Sequence, residues 1–181
     1  MPNNLFVTGR IRSGKSTLLK SMIDPIIHLT GGFFVQRLII NGETKAFRLV
    51  DVSKESYIPN RDVDSIAEYA DLMAVIDKDR KLYYEVFRTV GISSLDNAIK
   101  QKKLILMDEL GRIETKVPEF INAVYEALDS SIPVLGVIKK ESNFFLDKVR
   151  AHPDTLVIDT DDYSQDRSKE EILKFLGKHG L

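Results

Sequence analysis

Residues 4–17 read Asn-Leu-Phe-Val-Thr-Gly-Arg-Ile-Arg-Ser-Gly-Lys-Ser-Thr, and this stretch decides the fold. Gly9, Gly14, Lys15 and Ser16 fill the fixed positions of the pattern G-x-x-x-x-G-K-[ST], a loop that binds phosphate groups. The apolar run before the loop suits a buried strand, and the apolar spacing over 15–23 predicts a helix. The loop should therefore point its backbone N–H groups inward and form an anion site at a helix N-terminus.

Each part of this loop has an expected role. Lys15 should reach the β- and γ-phosphates of a nucleotide and take part in catalysis, and the Ser16 hydroxyl should bind Mg²⁺. The two arginines of the loop would raise the local positive potential, although both could equally face solvent. We predict that the nucleotide contacts Gly9, Arg10, Ile11, Arg12, Ser13, Gly14, Lys15, Ser16 and Thr17.

A second stretch supplies acidic partners for the metal. Residues 103–109 read Lys-Leu-Ile-Leu-Met-Asp-Glu, an apolar run of the kind that forms a strand buried on both faces of a parallel sheet. Ligands of such sheets gather at the carboxyl ends of the strands, where Asp108 and Glu109 would lie. Asp108 is expected to anchor the Mg²⁺ shell through a water, and Glu109 to position or deprotonate an attacking water. Taken alone, the two acids could equally be solvated residues that open the turn at Gly111; the phosphate loop favours the catalytic interpretation.

Composition restricts the class of protein. With 26 Lys and Arg against 27 Asp and Glu, the net charge is −1, so no nucleic-acid or membrane partner is expected. The absence of cysteine excludes disulfides, thiolate nucleophiles and cysteine-ligated metal, and His28, His152 and His179 show no metal-ligand spacing. Without a leader or a long apolar span, the expected location is cytoplasmic. The length suits a single domain over 1–181.

The remaining pattern predicts an α/β fold with helices on both sides of a mostly parallel sheet, because strands and helices alternate. A β-hairpin is expected after the first helix, since Asn41-Gly42 separates two strand-like runs. The predicted strands are 5–8, 33–40, 45–52, 81–87, 103–109, 132–138 and 156–158. The predicted helices are 15–23, 62–74, 94–100, 117–128 and 169–176, and the apolar stripe of 117–128 is interpreted as core packing.

Three blocks together resemble a known family, the small P-loop nucleoside-triphosphatases of archaea and thermophilic bacteria, whose human relative is called cancer-related nucleoside triphosphatase. The blocks are the loop at 9–17, Gly31-Gly32-Phe33 before the hairpin, and Asp108-Glu109-Leu110-Gly111-Arg112-Ile113-Glu114. The likeness covers nearly the whole chain, and the last two blocks are more diagnostic than the loop. The resemblance implies a RecA-like sheet, Mg²⁺-dependent hydrolysis of ATP, GTP and other nucleoside triphosphates, and a structural likeness to nucleotide kinases.

The chain also departs from the family pattern. The family commonly has Pro-Pro in the loop, where this sequence has Arg10 and Ile11. After Gly-Gly-Phe the family commonly has acidic residues and then an arginine, whereas this sequence has Gln36, Arg37 and Ile39. The family commonly has an Asn-Arg pair near the C-terminus, and its nearest match here is Asp166-Arg167. Phosphate and metal chemistry are therefore expected to be retained, while substrate preference is expected to differ.

Several cations are further candidates. Arg112 could approach the phosphates as a catalytic group, face solvent or pair with Glu114, and the family motif favours the catalytic role. Lys139, Lys140, Lys148 and Arg150 surround a segment where kinase-like folds place a lid, although a solvated basic face is the commoner explanation.

Three functions fit these residues. The first is hydrolysis of nucleoside triphosphates with Glu109 as the water-activating base, which the Asp108–Glu109 pair favours. The second is a kinase for a nucleoside, nucleotide or small metabolite, with the hairpin and 62–74 forming the acceptor site. The third is a non-enzymatic, nucleotide-dependent switch, which is the weakest because the chain has no partner-binding tail or charged arm.

Overall fold

The computed structural model describes residues 2–181, and five adjacent parallel strands form one side of its sheet. The strands are β1 (Asn4–Thr8), β2 (Thr30–Ile40), β3 (Glu43–Asp51), β4 (Asn60–Asp62), β5 (Leu72–Ile76), β6 (Arg80–Leu82), β7 (Leu104–Leu110), β8 (Val134–Ile138) and β9 (Thr155–Asp159). Their order is β6-β5-β3-β2-β7-β8-β1-β9, with β4 paired to β2. Strands β2, β7, β8, β1 and β9 are parallel, and β3, β5 and β6 extend the sheet antiparallel. The predicted α/β class and mostly parallel sheet are confirmed.

Helices cover both faces of this sheet. They are α1 (Lys15–Ile23), α2 (Ile92–Gln101), α3 (Pro118–Asp129), α4 (Phe144–Arg150) and α5 (Gln165–Lys178). Side chains alternate along the central strands, so that Leu104 and Leu106 pack towards α1 and α5, whereas Ile105 and Met107 pack towards α2, α3 and α4. This double burial explains why residues 5–7 of β1 and 104–107 of β7 are all apolar. No helix among residues 2–181 combines the length and apolar character needed to cross a membrane.

The predicted hairpin is confirmed, and it extends beyond the five parallel strands. Asn41 (φ 53°) and Gly42 (φ 79°) form the two-residue turn between β2 and β3, as the primed turns of hairpins require. Only Thr30–Phe34 of β2 pair with β7, and the rest of the strand pairs with β3 and β4. The hairpin therefore projects past the carboxyl end of β7.

The predicted helix over 62–74 is wrong. Its place is taken by the end of β4, turns, and β5, because strand pairing with β2 and β3 holds both ends of the segment. Between them, Asp71 forms hydrogen bonds of 2.8 and 2.5 Å with the buried guanidinium of Arg48, and the Tyr69 ring lies 4.7 Å from it. The apolar spacing imitates a helical stripe, but tertiary contacts decide the local structure.

Two further segments differ from the sequence prediction. The strand predicted over 81–87 ends at Leu82. Phe87–Gly91 is instead a π-helical segment that leads into α2, because Phe87 is buried against Phe120, with 5.2 Å between the ring centroids. Helix α4 was not predicted at all. It begins after Asn143, whose side chain accepts hydrogen bonds from the backbone N–H groups of Phe145 and Leu146.

Two adjacent glycines hold β2 against its neighbours. A Cβ on Gly31 would lie 2.8 Å from the Ala98 Cβ, so α2 packs directly on the backbone there. Gly32 has φ +96°, and a Cβ on it would lie 2.2 Å from the Leu106 carbonyl oxygen of β7. The Gly-Gly-Phe block is therefore a packing requirement at the centre of the sheet.

Replacing Gly32 by alanine should destabilise the protein strongly. The new methyl group would meet backbone and the residue would have to keep a positive φ, so we expect a loss of roughly 2–4 kcal/mol in the free energy of unfolding. Chemical denaturation monitored by circular dichroism measures this change. The matched control is Gly177→Ala in α5, where a Cβ meets nothing within 4 Å; it should be neutral or stabilising by up to about 1 kcal/mol. Equal stability of the Gly32→Ala protein and wild type would contradict this packing argument.

Candidate active site

The loop between β1 and α1 has the backbone of an anion site. Gly9 (φ 139°) and Gly14 (φ 83°) adopt conformations that favour glycine, and a Cβ on Gly9 would lie 2.1 Å from Thr160 Oγ1. No side chain among residues 2–181 caps the N-terminus of α1, which begins directly after Gly14. Its first N–H groups are therefore left for an anion that enters the loop.

Lys15 lies across this loop. It is only 8% exposed, and its Nζ donates to the carbonyl oxygens of Gly9 (3.1 Å) and Arg10 (2.5 Å) and to Ser13 Oγ (3.2 Å). The ammonium group is thereby held over the concave side of the loop. An incoming phosphate would exchange with these neutral acceptors and form stronger, charge-assisted hydrogen bonds.

Ser16 joins the loop to the end of β7. Its Oγ donates to Asp108 Oδ1 at 3.1 Å, and the Tyr57 hydroxyl donates to the other oxygen, Oδ2, at 2.5 Å. Both Asp108 and Tyr57 are 1% exposed. The predicted pair of Ser16 and Asp108 is therefore in direct contact, and a tyrosine from the connection after β3 completes the group.

Burial dominates the electrostatics of Asp108. It raises the pKa of this carboxyl to about 7, with a further increase from the neighbouring Glu109, while hydrogen bonds from Tyr57 and Ser16 act in the opposite direction. Burial also raises the pKa of Tyr57 well above its usual range, so the hydroxyl remains a donor to Asp108. A cation between Ser16 and Asp108 would favour the ionised carboxylate.

Glu109 faces a lysine from the end of β8. Lys139 Nζ lies 3.4 Å from Glu109 Oε1, and both side chains are about one-third exposed. The Lys139 side chain passes over Gly111, because a Cβ added to Gly111 would lie 3.0 Å from Lys139 Cδ. Glu114 is 3% exposed nearby, and its burial raises the pKa of its carboxyl to about 7, against the effect of the Lys139 charge. Lys139 therefore lies near two carboxyl groups, of which Glu109 lines the cleft and Glu114 is buried.

An acidic segment after β9 fixes the outer side of the loop. Asp161 Oδ1 accepts a hydrogen bond from the backbone N–H of Arg10 at 3.2 Å, and Lys140 bridges Asp159 (2.7 Å) and Asp161 (3.0 Å). These bonds raise the pKa of Lys140 and lower that of Asp161. Lys140 is therefore a structural link between β8 and the loop, and its charge is largely compensated.

The phosphate loop, the acid pair and the two lysines after β8 line one open cleft of about 780 Å³. All loop residues from 9 to 17 lie on it, together with Asp108 and Glu109, so the predicted binding residues and the acid pair are brought together. Lys139, Lys140 and Glu141 form one side of the cleft. The opposite side is formed by the hairpin and its neighbours: Val35, Arg37, Phe47, Pro59, Asn60, Ile76 and Arg80.

Three predicted cations lie elsewhere. Arg112 is exposed and is not part of the cleft lining, and no ion pair among residues 2–181 joins it to Glu114, so its catalytic role stays a prediction. Lys148 lies 4.2 Å above the Tyr125 ring. Arg150 binds Asp147 at 2.9 Å and the Lys139 carbonyl oxygen at 2.5 Å, so it supports the segment after β8.

Several residues of the site have no signal in the sequence. Tyr57 lies in an irregular connection, and Asp159 and Asp161 end the last strand without belonging to a motif. Lys139 was a candidate only as one of four cations. Each reaches the site because strands distant in sequence end at the same edge of the sheet, which a local pattern does not reveal.

A metal would have to be held largely by the nucleotide. Among residues 2–181, no group of three or more His, Asp and Glu side chains has metal-ligating geometry. The Ser16 hydroxyl and the Asp108 carboxylate are nevertheless oxygen donors of the type that Mg²⁺ prefers, and they are adjacent. Because Mg²⁺ keeps several waters and uses one or two protein oxygens together with substrate phosphates, the pair fits this ion.

Comparison with known proteins agrees with this arrangement. The nucleoside-triphosphatase THEP1 of Thermotoga petrophila is 28% identical over 174 residues, which cover 95% of this chain and 92% of that protein. THEP1 of Methanocaldococcus jannaschii is 26% identical over 178 residues, or 93% of this chain and 94% of its own length.

Two solved structures share the fold. The crystal structure of THEP1 from the hyperthermophile Aquifex aeolicus superposes with a TM-score of 0.71 at 18% identity and covers 96% of this chain and 98% of that one. The solution structure of a human cancer-related nucleoside triphosphatase gives a TM-score of 0.70 at 17% identity, with 94% and 95% covered.

The model of the protein family described as NTPase matches residues 4–173. This range includes the phosphate loop, the hairpin and the acid pair, so the resemblance found from the sequence is confirmed. The chain therefore belongs to the NTPase family.

Proposed function

We propose that this protein hydrolyses nucleoside triphosphates to the diphosphate and inorganic phosphate in a Mg²⁺-dependent reaction. One observation carries the proposal: the serine of the phosphate loop is hydrogen bonded to the first carboxylate of the pair at the end of β7, and the second carboxylate faces the same cleft. Family membership and relatives named nucleoside-triphosphatase along almost the whole chain support it. ATP and GTP are the proposed substrates, and the cytoplasm is the proposed location.

In the proposed reaction the loop binds the phosphates and the acid pair acts on the nucleophile. Backbone N–H groups at the start of α1 and the Lys15 ammonium hold the β- and γ-phosphates, which stabilises charge as it develops in transfer. Ser16 and Asp108 would hold Mg²⁺, which when bound neutralises phosphate charge. Glu109 Oε orients a water and accepts its proton as the water oxygen bonds to the γ-phosphorus and the bond to the β,γ-bridging oxygen breaks.

Lys139 is the proposed electrostatic partner of Glu109. Its ammonium lies 3.4 Å from Glu109 Oε1 and would orient this carboxylate towards the attacking water. Its position over Gly111 also directs its charge into the cleft, where it would meet the γ-phosphate. The same lysine would therefore act on both the base and the transferring group.

Replacing Lys15 by alanine should abolish turnover, with a loss of roughly 10²-fold or more. The charge meets the β- and γ-phosphates, so affinity for triphosphates should fall more than affinity for monophosphates. Phosphate release and equilibrium binding measure the two effects. Lys20→Ala removes a lysine from the same helix, where it pairs with Asp24 outside the cleft, and should keep full activity. Wild-type turnover of the Lys15→Ala protein would remove Lys15 from the mechanism.

EDTA should stop hydrolysis, and Asp108→Asn should raise the Mg²⁺ concentration needed for half-maximal activity. The amide cannot supply the anionic oxygen that holds the hydrated ion. Tyr57→Phe keeps the ring, packed 5.0 Å from Phe34, and removes only the donor to Asp108, so a smaller increase is expected. A Mg²⁺ titration of hydrolysis rates compares the three proteins; an unchanged curve for Asp108→Asn would place the metal elsewhere.

Replacing Glu109 by glutamine should lower kcat by roughly 10²-fold or more, the scale of a lost general base, while triphosphate affinity stays near wild type. The amide keeps the size of the side chain but not its basicity. Single-turnover hydrolysis and binding of a non-hydrolysable triphosphate separate chemistry from affinity. Glu126→Gln makes the same change on the exposed side of α3 and should have no effect. Full-rate hydrolysis by Glu109→Gln would show that Glu109 is only a strand-end carboxylate.

A further inference from the structure

The cleft has a second wall whose composition the hydrolysis of a triphosphate does not require. We call it the hairpin face and define it by Val35, Arg37, Phe47, Ile76 and Arg80, all of which line the cleft. Strand register explains why they share one face. Arg37 pairs with Phe47 across the hairpin, and Ile76 pairs with Arg80 across the next one.

The hairpin face lies on the side from which a nucleophile must approach. In the sheet order β2-β7-β8-β1, the strands β7 and β8 separate the hairpin from the phosphate loop after β1, and β7 is the one next to the hairpin. Asp108 and Glu109 at the end of β7 mark the γ-phosphate end of a bound triphosphate. In-line transfer places the attacking oxygen opposite the leaving β-phosphate. The wall beyond the acid pair therefore borders the position of the attacking group.

Two guanidinium groups on this wall have no acidic partner among residues 2–181. Neither Arg37 nor Arg80 forms an ion pair with any carboxylate of residues 2–181, although fifteen other pairs involving Lys or Arg are present. Arg37 Nε is shielded from solvent and has no hydrogen-bond partner within the same residues. By contrast, Arg48 on the opposite face of the hairpin is bound by both Glu55 and Asp71. Arg37 and Arg80 thus retain the donors that suit a phosphate.

An apolar surface accompanies these donors. The Phe47 ring lies 5.9 Å from the Arg37 guanidinium carbon, and Val35 and Ile76 flank it on the same wall. A planar ring can pack on such a surface while an attached phosphate reaches the arginines. The combination fits a ligand that carries both groups better than a water molecule or a simple anion.

We propose that the hairpin face binds a second substrate, a small phosphomonoester with a planar ring, and that this molecule accepts the γ-phosphoryl group. The inference rests on the proposed function because the same triphosphate site supplies the donor. An ionised oxygen of the acceptor's phosphate forms the new bond to the γ-phosphorus. The bond between that phosphorus and the β,γ-bridging oxygen breaks, and the nucleoside diphosphate leaves with the electron pair. The dianionic acceptor has no proton to lose, so this transfer needs no general base.

Calorimetry with nucleoside monophosphates tests the binding site. The protein is saturated with Mg²⁺ and a non-hydrolysable ATP analogue and then titrated with AMP, GMP, CMP and UMP. At least one should bind, and ribose 5-phosphate (no aromatic ring) and adenosine (no phosphate) should bind more weakly. Arg37→Gln and Arg80→Gln should each weaken binding about tenfold or more, the loss expected for a charged hydrogen bond. Lys81→Gln is the matched control, since Lys81 is exposed on the same strand as Arg80 but outside the cleft.

Transfer of labelled phosphate from γ-labelled ATP to the monophosphate that binds tests the reaction. Glu109→Gln should reduce hydrolysis far more than this transfer. The proposal is overturned if no monophosphate binds or accepts phosphate, or if the arginine variants weaken only the ATP analogue, which would place the triphosphate itself on this wall. Titrating the Lys15→Ala protein with the monophosphates measures binding at the hairpin face when the triphosphate site is disabled. The outcome for this proposal can therefore be told apart from the outcome for the hydrolase proposal.

Discussion

The buried carboxylate of Asp108 is the interaction on which the site depends. It accepts hydrogen bonds from Ser16 of the phosphate loop and from Tyr57 after the hairpin, so three distant parts of the chain meet at one residue. A carboxylate with 1% exposure is costly to ionise, and these donors offset part of that cost. The contact couples the position of the loop to that of Glu109, the next residue on β7. It therefore fixes the phosphate-binding loop relative to the residue that would act on the nucleophile.

The hairpin that extends the parallel sheet is stabilised by a polar network on its face away from the cleft. On the face away from the cleft, Arg48 binds Asp71, Glu55 and the Gln36 side-chain oxygen, and Gln36 donates to the Ile58 carbonyl oxygen at 2.6 Å. This buried network connects both strands of the hairpin with the segments that follow them. The charges of this network are satisfied there, whereas Arg37 and Arg80 on the cleft side form no ion pair with a carboxylate of residues 2–181.

The parts of the fold that were predicted correctly are those where local physical requirements are strong. A phosphate loop needs particular glycines and a lysine, Asn41-Gly42 specifies a tight turn, and strands buried on both faces must be apolar throughout. The helix predicted over 62–74 was wrong for the opposite reason. Its apolar residues have helical spacing, yet strand pairing at both ends and the bond from Arg48 to Asp71 hold the segment in another conformation.

By itself the sequence determined the anion loop, the acid pair, the class of fold and the family, because each follows from residue types at short spacing. Only the tertiary structure decided which other groups reach the cleft. Lys139 and Tyr57 became neighbours of the acid pair, Asp161 became a support of the loop, and Lys148 and Arg150 were directed away. The physical reason is that parallel strands far apart in the chain end at one edge of the sheet, and their register sets which side chains converge there.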